Sequence, residues 1–124
     1  MWEILIWLYL SNAIMLIIHE LDSVYWKEWE LFHLPGGING FLIMHIPFLF
    51  VILLGLVEVS LRSLPGLFYS FILCLGGIFA FVIHNWLIRI GKPGFKTWMS
   101  TSILWMLLML SIAQLVITIN LITS

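Results

Sequence analysis

The chain has 124 residues, 63% of them hydrophobic and 9% charged, with a formal net charge of -1. A soluble domain carries roughly a quarter charged residues, so a water-soluble globule is excluded. The near-neutral balance, with no Lys/Arg-rich run, also excludes a nucleic-acid partner, and Cys74, the only cysteine, excludes an intrachain disulfide and a thiolate metal cage.

Apolar runs of this length match a bilayer core of about 30 Å. The fold class expected is all-α: a polytopic membrane four-helix bundle in a single domain, residues 1–124, with a short interfacial amphipathic helix between spans one and two. Four spans and short connections use the whole length and leave no soluble catalytic module.

Span one is expected over about 2–19. Glu3 stands where a signal peptide has its basic region and no small-x-small cleavage site follows, so the run reads as a span. Trp2, Trp7 and Tyr9 read as interfacial or lipid-facing aromatics. From about 23 to 34, Tyr25, Trp26, Trp29 and Phe32 recur at helical spacing among Lys27, Glu28 and Glu30, the pattern of a helix lying in the headgroup plane and capped by Asp22 or Ser23. Leu34-Pro35-Gly36-Gly37 ends it.

Span two covers about 38–61, and Pro47 within it frees the carbonyl of Ile43. Glu58 and Arg62, four residues apart, read as a mutual interfacial pair. Span three covers about 67–89. Its Ser70, Cys74, Gly77 and Ala80 form a face of small residues for close helix approach and a candidate oligomer contact. Span four covers about 97–122, with Ser111, Gln114 and Thr118 placed for interhelical hydrogen bonds. Lys27, Arg89, Lys92 and Lys96 fall at one end of this topology and Arg62 at the other. The positive-inside rule therefore predicts that both termini are non-cytoplasmic.

Of the four histidines, His19 ends span one, His33 lies in the following loop, and His45 and His84 lie just inside spans two and three, all toward the Lys/Arg-rich end. Ionisable groups in a membrane are costly and mark a site by default. Three readings compete. In the first, His19, His45 and His84 bind zinc or iron, Asp22 orients His19 from one helical turn away, and Glu20 supplies a base to a lipid or small apolar substrate entering laterally. In the second, the same groups handle protons without a metal. The third makes them hydrogen-bonding glue in a non-catalytic membrane subunit, with His33 solvated and His45 answering the carbonyl freed by Pro47. An ion conductor is disfavoured, because the other end offers no matching chain of charges. No His-Glu-x-x-His pair, phosphate-binding glycine loop or Gly-x-Ser-x-Gly elbow is present.

The stretch His-Glu-Leu-Asp, then Tyr-Trp-Lys-Glu-Trp-Glu-Leu-Phe and Leu-Pro-Gly-Gly, between His19 and Gly37, resembles the signature of a family of small four-helix membrane proteins of bacteria. More remotely it is similar to the family named for a membrane His-x-x-Glu-Glu motif. His19 matches that motif, Asp22 stands for its first glutamate, and Ser23 departs from its second. The resemblance implies the fold, a bacterial inner membrane and a site at this stretch, but not an activity.

Overall fold

The computed structural model describes residues 1–124 and consists of five helices: α1 Trp2–Tyr25, α2 Glu28–Leu31, α3 Gly37–Ser60, α4 Leu64–Arg89 and α5 Trp98–Thr123. All but α2 are long and apolar enough to cross a membrane. They run alternately up and down. In cross-section α1 touches α3 and α5, α4 touches the same two, and α3 and α5 do not meet. Large apolar side chains such as Trp7, Ile46, Phe79 and Trp98 are exposed around the bundle, which water would not tolerate and lipid requires. This is an integral membrane protein.

The buried stripe of α1 is Leu5, Tyr9, Asn12, Ala13, Leu16, His19 and Ser23, steps of three and four that keep one face inward. The α4 stripe includes Ser70, Cys74, Gly77, Ala80 and His84. Both stripes carry a histidine, His19 and His84, toward the same end of the bundle. The site is thus the polar continuation of the core.

Small residues on α4 bring α5 close. A Cβ built on Gly77 would collide with the Ser111 hydroxyl, so only glycine permits this approach. The face of Ser70, Cys74, Gly77 and Ala80 is therefore buried inside the protomer and is not free for the oligomer contact expected from sequence. Across it runs a closed polar network. The Asn12 amide donates to Ser111 Oγ at 3.1 Å and Gln114 Oε1 at 3.0 Å, Gln114 Nε2 donates to Ser70 Oγ at 2.9 Å, and Ser70 and Thr118 share a bond of 2.7 Å. Ser111, Gln114 and Thr118 thus make the interhelical bonds expected of them.

Four local expectations are corrected. The interfacial helix of 23–34 is one turn only, because no breaker follows His19 and α1 continues to Tyr25. Ser23 does not cap a new helix: its hydroxyl donates back to the His19 carbonyl at 2.9 Å. Lys27, in the left-handed region at φ 52°, makes the break instead. Arg62 does not pair with Glu58 but lies 3.8 Å from Glu3, while Glu58 accepts from Ser63 Oγ at 2.6 Å. Arg62 itself is left-handed, at φ 54°, just past the end of α3, off the helix face on which a partner four residues back would stand. Tyr9 is not lipid-facing: it is 1% exposed and donates to the Ile52 carbonyl at 2.7 Å.

Candidate functional site

At the end of the bundle where α1 gives way to α2, a pocket of about 260 Å³ lies between α3 and α4. Its lining includes His19 and Glu20 from α1, Glu28 from α2, His45 from α3 and His84 from α4. Five ionisable side chains from four helices thus share one cavity.

His84 shows how backbone geometry sets chemistry. Its Nδ1 lies 2.8 Å from the carbonyl of Ala80, one turn back on α4. A carbonyl only accepts, so Nδ1 carries hydrogen and donates. In the neutral ring, Nε2 is then a lone pair, and it points at Glu28 Oε2, 3.2 Å away. An acceptor facing a carboxylate is stable only with a proton or a metal cation between them. His45 repeats the device: Nδ1 donates to the Phe41 carbonyl at 2.7 Å, and Nε2 meets Glu20 Oε2 at 2.6 Å. The carbonyl answered by His45 is therefore that of Phe41, not the one freed by Pro47, because a ring four residues on reaches back along its own helix face.

His19 is 1% exposed, and its ring sits edge-on to His84 with centroids 4.5 Å apart. Its Nδ1 is buried without any hydrogen-bond partner. Orphaned polar atoms at such depth are rare and call for an explanation. Ligand atoms of His19, Glu28 and His84 all lie within 4.8 Å of one another. An ion about 2 Å from each donor needs them roughly 3–4 Å apart, so a side-chain adjustment of about 1 Å closes the set around one cation.

Burial pushes the Glu28 carboxyl up, but its contact with His84 and the electrostatic pull of His84 and His19 outweigh it, holding it below the ordinary carboxylate range. The site is roofed by Phe95, 1% exposed and left-handed at φ 59°, whose ring lies 4.4 Å from that of His84 and 5.7 Å from that of His19.

Set against the sequence expectations, the structure brings His19 and His84 together with Glu28, which sequence had assigned to a solvated helix face. His45 lines the same pocket but is occupied by Glu20. Asp22 makes no hydrogen bond to His19: its Oδ1 accepts from the Trp26 indole at 3.0 Å and its Oδ2 is buried and unpartnered. His33 is exposed in a turn, outside the cluster. No sequence spacing links Glu28 to a histidine 56 positions away, and nothing in the composition marked Phe95.

Fold and site together define a four-span helical membrane protein with a buried histidine–carboxylate cluster at one end of the bundle. The chain belongs to a family of unknown function, DUF6713, whose model matches residues 5–121. No curated protein and no solved structure matches it.

Proposed function

We propose that this protein is a metal-dependent enzyme of the bacterial inner membrane, acting on a lipid or small apolar molecule that enters between α3 and α4. His19, Glu28 and His84 hold the ion, replacing the ligand set His19, His45 and His84 read from sequence. The observation that carries the reading is the buried, partnerless Nδ1 of His19 beside an imidazole–carboxylate pair that a proton or a metal cation must bridge. Two imidazoles and one carboxylate with open positions suit catalytic zinc or non-haem iron. Such an ion polarises a substrate oxygen or lowers the pKa of a bound water.

Glu20 Oε2 and His45 Nε2 lie 2.6 Å apart in the same pocket, within reach for passing a proton, which fits them to give and take protons during turnover. Met44 and Phe79, both more than half exposed, flank the lateral opening of the pocket. Lys27, Arg89, Lys92 and Lys96 belong to the same end, supporting a site at the cytoplasmic face with both termini outside.

The test has two parts. Metal-stripped protein titrated with zinc(II) or iron(II) is expected to take up one equivalent, and a variant carrying His19→Ala and His84→Ala none. Vesicles of bacterial phospholipid containing loaded protein are then profiled for lipids consumed by the wild type and spared by Glu20→Gln. A folded protein that binds neither ion makes the cluster interhelical glue, as in a non-catalytic subunit. One that binds an ion but alters no lipid overturns the lipid-enzyme reading.

A further inference from the structure

The site pocket does not end at its polar groups. Leu16, Phe48 and Gly76, which line it, also line a second cavity of about 100 Å³ that continues toward Tyr9, Ile52 and Tyr69. The two form one cleft between α3 and α4, floored by α1. Its two ends differ in chemistry. Three histidines and two glutamates occupy one, and the other is apolar, because the Tyr9 hydroxyl is already committed to the Ile52 carbonyl.

Adjacent glycines on α4 have opposite roles here. A Cβ on Gly77 would run into α5, whereas a Cβ on Gly76 would meet nothing within 4 Å. Gly76 leaves the middle of the cleft unfilled, at the place where the two cavities join. Ala80, beside the cluster, and Tyr69, at the deep end, are eleven residues apart on α4, about 16 Å along the axis. An extended hydrocarbon chain advances about 1.25 Å per carbon, given bonds of about 1.5 Å and near-tetrahedral angles. The cleft thus spans roughly a dozen methylenes in single file.

We infer that the cleft binds one straight-chain fatty carboxylate of about twelve carbons, its chain passing Gly76 toward Tyr69 and its head group at the histidine–glutamate cluster. The inference rests on the proposed metal site for its choice of head group: a divalent ion held by two neutral imidazoles and one carboxylate keeps a net positive charge, which an anionic oxygen donor completes. The small volume of the deep end, about 100 Å³, favours a single-chain amphiphile over a diacyl lipid.

The test uses zinc-loaded protein in phosphatidylcholine vesicles and two photoreactive dodecanoic acids, one with its diazirine near the carboxyl and one with it near the methyl end. Cross-linked residues are mapped by mass spectrometry. The first probe is expected to label around Ala80 and Ile83, and the second around Tyr9, Ile52 and Leu73, which are buried from the surrounding lipid. In Gly76→Leu, deep labelling should fall at least tenfold while zinc content is unchanged. Labelling spread evenly over outward residues such as Phe50 and Val57, or labelling indifferent to the position of the diazirine, overturns the inference without need of the variant. Graded labelling in a protein that takes up no zinc sinks the metal-enzyme reading and leaves chain binding standing. Zinc uptake with diffuse labelling does the reverse.

Discussion

Nε2 of His84 lies 3.2 Å from Oε2 of Glu28 while the opposite nitrogen of the same ring donates to the Ala80 carbonyl. The main chain of α4 thereby fixes the tautomer, and the imidazole presents its lone pair to a carboxylate carried by a different helix. Metal-binding histidines are commonly held in this manner, with the second nitrogen anchored to a carbonyl.

Replacing Glu28 by Gln separates ligation from folding. The glutamine amide can donate to the His84 lone pair, so the bundle should stay folded. Loss of an anionic ligand should weaken zinc binding by at least about tenfold, since even outer-sphere changes cost about 10–100-fold. Competition against a chelator of known affinity, with circular dichroism as the folding control, checks this.

Gln114→Leu should destabilise the bundle without touching the site. It leaves one N–H of the Asn12 amide without its acceptor and takes one donor from the Ser70 hydroxyl, which keeps Thr118, both residues being fully buried. A buried group left unpaired costs about 1–3 kcal/mol, although interhelical bonds in membranes often measure nearer 0.6. Thermal unfolding in detergent should therefore show a lower midpoint, with zinc uptake unchanged.

Gly77→Ala and Gly76→Ala should move stability in opposite directions despite being neighbours. The first drives a methyl into Ser111, an overpacking that typically costs about 1–3 kcal/mol. The second adds a methyl to open space and gains up to about 1 kcal/mol of helix propensity. Unfolding midpoints of the two variants, compared in one detergent, measure the difference.

Acid should loosen the metal-free protein through Glu28. Its carboxyl titrates below the ordinary range in the folded state, so the unfolded chain takes up the proton first as pH falls. The stabilisation is complete above the unfolded value of about 4.3 and is lost as pH drops through the depressed folded value. Stability measured against pH should fall in that acid window, and Glu28→Gln should remove that part of the slope.

Much of the architecture was legible from residues. Unbroken apolar runs set the four spans, and Ser70, Cys74, Gly77 and Ala80 marked the inward face of α4 on which His84 continues. Ser111, Gln114 and Thr118 declared their bonding by period. What stayed hidden depends on where separate helices meet. Glu28 looked like the polar side of an amphipathic helix, because its partner is 56 residues away and no local pattern records that distance. Asp22 looked adjacent to His19 by helical spacing, yet its carboxylate turns to Trp26 one turn on. The aromatic density around residue 26 was read as a membrane-surface helix, whereas a single left-handed residue, Lys27, folds it over the end of the bundle.

The most direct measurement is zinc-edge X-ray absorption of the loaded protein, which reads the atoms around the ion. Two imidazole nitrogens and a carboxylate oxygen are expected, with the imidazole scattering reduced to one ring in His19→Ala and in His84→Ala. A first shell of water and phosphate oxygens without imidazole, unchanged by either substitution, would contradict the metal site at His19, Glu28 and His84.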